Sequence, residues 1–203
     1  SETGQSTLQT VTRAEQFDFT YPNLKVLFGP RWRLLLIGAG QLSRAIAQMA
    51  HMLDFEVICC DPRKEYALTW DIPNTTFSTM MPDDLVLDLQ LDAHSAVVAV
   101  THDPKLDDMA LLEALKSPAF YVGALGSRTT TQARKQRLAL FDLSDAEINR
   151  LYGPTGLDLG SKGPAEMALE IMAEIIAIKN KVTISQKKPG SAMPELVFSY
   201  QAE

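Results

Sequence analysis

A glycine-rich turn, Gly38-Ala39-Gly40-Gln41-Leu42-Ser43, is the clearest chemical signal in the sequence. It matches the dinucleotide-binding pattern G-x-G-x-x-G/A, except that Ser43 holds the third small position. In that pattern the first glycine permits a tight turn, and the second lets the backbone approach a pyrophosphate at the start of a helix. We therefore predict that residues 38–42 bind phosphate groups. A turn that uses its glycines for backbone reasons alone is the alternative.

An acidic residue, Asp61, follows this turn at about the twenty-residue distance that the dinucleotide fingerprint requires. Its carboxylate could accept hydrogen bonds from ribose hydroxyls, and its charge would repel a 2′-phosphate, so the sequence favours NAD over NADP. Pro62 and Arg63 come next. Because a guanidinium pairs well with phosphate, Arg63 keeps NADP open as the second choice.

Two further loops lie just past predicted strands, where open α/β sheets bind their ligands. They are Thr101-His102-Asp103 and Gly123-Ala124-Leu125-Gly126-Ser127-Arg128. His102 is either a loop histidine bonded to nearby backbone or a group that binds a ligand or transfers a proton, and with Asp103 it is the candidate for catalysis. Arg128, at a predicted helix start, is expected to contact a phosphate.

The elements that position these residues alternate between strand and helix. Continuous apolar runs predict buried parallel strands at 33–37, 56–60, 95–100 and 119–122. Helical spacing follows at 42–53, 105–115 and 131–140, a capping-box pair Ser144/Glu147 starts a short helix, and Pro164 precedes a long one at 165–179. The pattern predicts an α/β fold with a doubly wound, mainly parallel sheet.

The two ends of the chain read differently from this central part. Alternating apolar residues at 17–21 and 24–28, separated by Pro22-Asn23, predict a small hairpin or edge strands. Lys187 to Ser191 breaks regular structure. We therefore divide the chain into an extension (1–30), a nucleotide-binding domain (31–182) and a tail or loosely docked strand (183–203).

Composition excludes several classes of function. Of the 203 residues, 46% are hydrophobic and 22% charged, as in ordinary globular proteins. The net charge of −6 does not favour binding to nucleic acid or to an anionic membrane, because both attract clustered Lys and Arg. No apolar stretch is long enough to span a bilayer, and the first ten residues lack an apolar signal core. We expect a cytoplasmic protein whose partners are small molecules or other proteins.

The cysteines and histidines show no metal-binding spacing. Cys59 and Cys60 are adjacent in a predicted strand, where a mutual disulfide would be strained, so we expect buried thiols in a reducing compartment. His51 and His94 are predicted to be structural or exposed.

Several motifs taken together resemble the carboxy-terminal Rossmann domain of the XdhC/CoxI family, accessory proteins of molybdenum hydroxylases such as xanthine dehydrogenase. The matching segments are 35–40, Asp61-Pro62-Arg63, Thr101-His102-Asp103 with Leu106-Asp107, Tyr121 to Arg128, Gly153 to Gly160 and Pro164-Ala165-Glu166. The G-x-x-G-S-R loop and the G-L-D-x-G stretch, which contains Asp158, are the most specific of them.

The resemblance implies a maturation factor that binds molybdenum cofactor, assists its sulfuration and delivers it to a hydroxylase. It implies nucleotide binding as well, Arg128 as a contact of a pterin phosphate, Asp158 as a further cofactor contact, a cysteine desulfurase as a second partner, and a homo-oligomer. Gln41 departs from the His usual in the family, although an amide can still donate a hydrogen bond.

The family's amino-terminal domain, with its cysteine-containing glycine motif, has no counterpart in these residues. A chain that works with a separate partner, a fragment, and a nucleotide-binding remnant are the three explanations left open. The alternative functions are an NAD(P)-dependent oxidoreductase in which His102 handles a proton, and a non-catalytic domain that senses NAD.

Overall fold

The computed structural model describes the backbone of residues 17–21, 24–28, 31–184 and 198–199, and the side chains of residues 31–183. The chain divides into two compact units, Ser1–Arg31 and Trp32–Glu203. In the first unit, strands β1 (Phe17–Tyr21) and β2 (Leu24–Phe28) pair antiparallel. Both predicted strands of the hairpin are thus confirmed, while Pro22-Asn23 lies outside the described residues.

A parallel six-stranded sheet forms the centre of the second unit. Its strands are β3 (Arg33–Ile37), β4 (Glu56–Cys60), β5 (Thr75–Ser78), β6 (Ser95–Ala99), β7 (Tyr121–Ala124) and β8 (Leu151–Tyr152). They lie side by side in the order β5-β4-β3-β6-β7-β8. The chain therefore moves outward from β3 to one edge and then crosses to β6. This reversal of direction leaves a crevice beyond the carboxyl ends of β3 and β6.

Helices connect and cover these strands. They are α1 (Gln41–Met52), α2 (Lys64–Thr69), α3 (Pro82–Asp88), α4 (Pro104–Lys116), α5 (Arg128–Leu138), α6 (Asp145–Asn149) and α7 (Pro164–Lys179). The predicted capping box is present at α6, where Ser144 and Glu147 exchange hydrogen bonds, and Pro164 is the first residue of α7. Proline suits that position because the first helical N–H has no intrahelical partner.

The side chains of β3 alternate between two apolar cores, one on each face of the sheet. Leu34 and Leu36 pack with buried residues of α1 and α7, whereas Leu35 and Ile37 pack with buried residues of α3 and α4. A strand covered on both faces has no polar side, which explains its continuous apolar sequence. The predicted doubly wound α/β fold is confirmed.

The region between Asp61 and His94 contains three elements that the sequence did not reveal: α2, β5 and α3. Helix α2 buries none of its side chains, and β5 is an edge strand with no fully buried residue. The sequence of neither element therefore shows a strong apolar periodicity. In the predicted tail, β9 (Thr183–Ile184) pairs antiparallel with β10 (Phe198–Ser199). Within the described residues, no helix is long and apolar enough to cross a membrane.

Candidate functional site

Gly38 shapes the turn after β3. Its φ of +104° lies in a region that side chains rarely adopt. A Cβ at this position would lie 2.8 Å from the Cα atom of Thr101, and the Gly38 amide donates a hydrogen bond to the Cys60 carbonyl at 2.7 Å. Gly38 is thus required by the backbone itself, because it lets the turn pass between the loops after β4 and β6.

Gly40 differs from Gly38 in both conformation and surroundings. Its φ of −79° and ψ of −173° suit any residue, and a Cβ there would meet nothing within 4 Å. No side chain caps the first turn of α1, so the free N–H groups of that turn can bind an anion. Open space beside Gly40 at an uncapped helix start fits a pyrophosphate. Ala39 and Leu42 are buried and Gln41 is exposed.

Asp61 lies at the end of β4, where the sequence predicted it, but it is completely buried. Its Oδ2 atom accepts hydrogen bonds from the Ala39 amide at 3.0 Å and from Arg63 Nη2 at 2.7 Å. Its Oδ1 atom accepts from the Arg63 amide at 3.1 Å and from Arg63 Nε at 2.8 Å. The carboxylate therefore joins the glycine turn to Arg63.

The Arg63 guanidinium covers this carboxylate. Its hydrogen bonds to Asp61 raise the pKa of the Arg63 guanidinium further above its ordinary value, and its central carbon lies 4.2 Å from the centre of the Tyr66 ring. The Arg63 side chain is 31% exposed, whereas that of Asp61 is inaccessible. At this end of the crevice, a ligand would meet Arg63 first.

Thr101 and Asp103 are engaged within the protein. The Thr101 hydroxyl donates to Asp107 Oδ1 at 2.8 Å and accepts from the Asp103 amide at 2.8 Å, while the Asp103 carboxylate caps α4 by accepting from the Lys105 amide at 2.9 Å. His102, between them, is exposed and has a φ of +63°. Thr101 and Asp103 are therefore held in place by hydrogen bonds, and the His102 ring between them lies at the surface.

A buried ionic network, which the sequence did not indicate, ties this loop to the next one. Asp107 also accepts from the Thr101 amide at 3.1 Å and from Arg134 Nη2 at 3.0 Å. Arg134, only 3% exposed, further donates to Asp108 Oδ1 and to the Leu125 carbonyl, each at 3.0 Å. Burial raises the pKa of Asp107, against the opposing effect of these hydrogen bonds.

The loop after β7 combines tight packing with exposed charge. A Cβ at Gly123 would lie 2.6 Å from Thr155 Oγ1, and Gly126 has a φ of +154°. Ser127 caps α5 by accepting a hydrogen bond from the Thr130 amide at 3.1 Å. Arg128, the first residue of α5, is exposed.

Arg128 and Asp158 line one cleft of about 640 Å³, which runs along α7. Its other lining residues are Tyr152, Pro154, Thr155, Gly156, Leu157, Glu170, Glu174, Ala177, Ile178 and Val182. The cleft brings together an exposed guanidinium, an aromatic ring and three carboxylates. Of these residues, the sequence singled out only Arg128 and Asp158 as cofactor contacts.

Glu174 joins the cleft to a buried tyrosine of the sheet. Its Oε2 atom accepts from the hydroxyl of the buried Tyr121 at 2.5 Å and from the Gly156 amide at 2.9 Å. Burial and the nearby Glu174 charge raise the pKa of Tyr121 well above its ordinary value. The Tyr121 and Tyr152 rings are stacked 4.7 Å apart. Such contacts between residues far apart in the sequence leave no local signal.

The two cysteines and the other two histidines are packed or bonded within the protein. Cys59 and Cys60 are free, buried thiols, as predicted, and burial raises the pKa of both, that of Cys60 to about 12. His51 lies 3.0 Å from the Thr75 hydroxyl, and His94 packs edge-on against Trp32. Among the described side chains, no group of three His, Cys, Asp or Glu residues could hold a metal ion.

The geometry thus forms two neighbourhoods. The turn at 38–42, Asp61 and Arg63 are joined by hydrogen bonds, and Thr101 touches the turn at Gly38. Arg128 and Asp158 belong instead to the cleft beside α7. The first neighbourhood suits a dinucleotide, and the second suits a ligand with an anionic group and hydrogen-bond donors.

Known proteins resemble this chain over most of the sheet. A family model described as the XdhC Rossmann domain matches residues 34–175. The uncharacterized protein YqeB of Escherichia coli K12 is 32% identical over 168 residues, which is 81% of this chain and 29% of that protein. A Bacillus subtilis 168 protein, named as a probable subunit of xanthine dehydrogenase, is 30% identical over 156 residues, which is 76% of this chain and 45% of that protein.

A shorter match covers 44% of this chain and 28% of the molybdenum cofactor insertion chaperone PaoD of E. coli K12, at 30% identity. Among solved structures, a Bacillus halodurans protein described as a xanthine dehydrogenase superposes with a TM-score of 0.66 at 25% identity, over 77% of this chain and 45% of that one. The chain spans less than half the length of each of these relatives.

Proposed function

The chain belongs to the XdhC family through its Rossmann domain, and from this membership we propose that it is a maturation factor for a molybdenum hydroxylase of the xanthine dehydrogenase type. In this role it binds a nicotinamide dinucleotide, molybdenum cofactor or both, and assists cofactor sulfuration and insertion. A cysteine desulfurase is the proposed second partner. We further propose a homo-oligomer that works in the cytoplasm.

The observation that carries the proposal is the family match over 34–175, which contains the glycine turn, Asp61, Arg63, Arg128 and Asp158. Two relatives with names that refer to xanthine dehydrogenase and to molybdenum cofactor insertion agree with it. Within this role, the step that a Rossmann domain itself performs is to bind and position a cofactor.

The dinucleotide would lie across the crevice beyond β3 and β6. The uncapped start of α1 and the open space beside Gly40 suit its pyrophosphate. The loops at 101–103 and 123–128 follow the next two strands along the sheet. The half of the dinucleotide beyond the pyrophosphate would meet these loops.

Molybdenum cofactor would occupy the cleft beside α7. An exposed guanidinium such as that of Arg128 suits a phosphate, because its planar fork donates two hydrogen bonds at once. Carboxylates such as Asp158 and Glu174 accept hydrogen bonds from the N–H groups of a heterocycle. The charges therefore suit a ligand that carries both a phosphate and N–H donors.

Maturation is tested by producing a hydroxylase with and without this chain in cells that lack their own homologue. We expect the chain to raise the molybdenum cofactor content of the purified hydroxylase and to co-purify with it. Arg128→Met should reduce that gain, whereas Gln136→Met, an exposed change on the same helix, should not. Equal cofactor content with and without the chain would overturn the proposal.

One observation favours an NAD(P)-dependent oxidoreductase instead: the exposed ring of His102, held at a positive φ at the carboxyl edge of the sheet. Against it, no hydrogen bond to another described residue orients that ring, as a general acid or base requires. Turnover of NAD(H) that His102→Asn abolishes would support the oxidoreductase. Dinucleotide binding that changes partner affinity without turnover would support a sensing domain.

A further inference from the structure

The acceptor capacity of Asp61 is already used. An ionised carboxylate has about four lone-pair positions for hydrogen bonds. The amide of Ala39 takes one, and Arg63 takes the other three through its amide, Nε and Nη2. A ribose diol approaching this buried group would find no free acceptor. The usual reason for which an acidic residue at this position selects NAD is therefore absent.

The charge of Asp61 is neutralised as well. The side-chain contacts from Arg63, at 2.8 and 2.7 Å, form a two-point ion pair with a carboxylate that solvent does not reach. A 2′-phosphate would meet the combined field of one negative and one positive group, with the positive group nearer to solvent. Repulsion of a 2′-phosphate, the second reason for NAD selection, is thus lost too.

Arg63 also keeps donors for a ligand. A guanidinium has five N–H groups. Its contacts with Asp61 use the Nε group and one from Nη2, and no other described residue accepts from the rest. The Tyr66 ring, 4.2 Å from the guanidinium carbon, supports its plane. The remaining N–H groups are therefore preorganised at the partly exposed end of the crevice.

We propose that Arg63, held by Asp61 and Tyr66, is the residue that reads the adenosine ribose, and that the site binds 2′-phosphorylated dinucleotides at least as tightly as NAD. The proposal rests on the dinucleotide part of the proposed function and reverses the preference that the sequence indicated. Asp61 is a positioning residue in this arrangement, because it acts on the ligand through Arg63.

Calorimetric titration of the full chain with four ligands tests this proposal. The ligands are NAD, NADP, adenosine 5′-monophosphate and adenosine 2′,5′-bisphosphate, and the members of each pair differ only in the 2′-phosphate. We expect NADP to bind at least as tightly as NAD, and the bisphosphate more tightly than the monophosphate. Arg63→Met should lower the NADP-to-NAD affinity ratio about tenfold, the effect of losing one charge-assisted contact.

Lys64→Met is the matched control, because Lys64 is an exposed cation next to Arg63 in sequence. It should leave the ratio nearly unchanged. If Arg63→Met fails to fold because Asp61 loses its partner, Arg63→Lys keeps the positive charge without the two-point fork, and the ratio must still fall.

Three results would overturn the inference: a wild-type chain that prefers NAD more than tenfold, an Arg63→Met chain that loses both dinucleotides equally, and a wild-type chain that binds none of the four ligands. Each is independent of the hydroxylase test. A chain that raises the cofactor content of a hydroxylase and binds no dinucleotide would refute this inference and leave the maturation role standing.

Discussion

Alanine at Gly38 and alanine at Gly40 should have opposite consequences, although both residues belong to the same turn. At Gly38 the positive φ of +104° costs a side chain about 1–3 kcal/mol, and a Cβ 2.8 Å from the Thr101 backbone adds overpacking of about 1–3 kcal/mol. We therefore expect Gly38→Ala to lower the free energy of unfolding by about 2–6 kcal/mol, which lowers Tm by roughly 4 °C or more.

Gly40→Ala should leave stability almost unchanged. Its φ and ψ are open to alanine, which stabilises by about 0.4–1 kcal/mol through the unfolded chain. Alanine is a poorer residue than glycine before a helix, which costs a similar amount. The two terms nearly cancel. A Cβ would however fill the space left for the pyrophosphate, and losing one charge-assisted hydrogen bond there lowers affinity about tenfold or more.

Urea unfolding of the ligand-free chains gives the stabilities, and calorimetric titration with NAD and NADP gives the affinities. The reasoning is refuted if Gly40→Ala binds both dinucleotides as the wild type does. It is also refuted if the two substitutions lower the free energy of unfolding equally, because the backbone contact at Gly38 and the open space at Gly40 would then make no difference to stability.

Three other predictions concern buried groups. Ser43→Ala should raise the free energy of unfolding by about 1 kcal/mol in urea melts, because the buried Ser43 hydroxyl has no hydrogen-bond partner among the described residues; a loss of stability would show that the hydroxyl is satisfied. Arg134→Met should lower the free energy of unfolding by about 3–5 kcal/mol, because it leaves the buried Asp107 carboxylate without its ion-pair partner, whereas the exposed change Gln136→Met should stay within about 0.5 kcal/mol; equal effects would contradict this. Because burial raises the pKa of Cys60 to about 12, iodoacetamide at pH 8 should modify it only after unfolding in urea, and rapid modification of the native chain would contradict this.

The central strands could be predicted because a strand buried on both faces has a continuous apolar sequence. Arg33–Ile37 and Glu56–Cys60 have the predicted bounds, and the predicted run at 95–100 ends one residue beyond Ala99. The short elements between Lys64 and Asp88 have no such continuous apolar run. The side chains of α2 face solvent and β5 lies at a sheet edge, where apolar periodicity is weak, and α3 is only seven residues long, which is too short to show a clear helical period.

The sequence also indicated that Asp61 would lie beside the glycine turn, but not which contacts its carboxylate makes there. The place of Asp61 followed from its spacing to the turn. Its saturation by Arg63 depends on a side-chain conformation, which residue types do not specify. The pairing of Asp107 with Arg134 joins residues 27 positions apart, and that of Tyr121 with Glu174 joins residues 53 apart. Only the folded chain brings such pairs together.

The position of β3 determines how a bound ligand should affect amide hydrogen exchange in the sheet. This strand has hydrogen-bonded neighbours on both sides, β4 and β6, and its residues are buried. Amides in such a strand exchange with solvent only when the whole domain opens. The glycine turn therefore extends from the interior of the sheet, and a dinucleotide held there should slow hydrogen exchange in the central strands β3, β4 and β6 as well as in the turn.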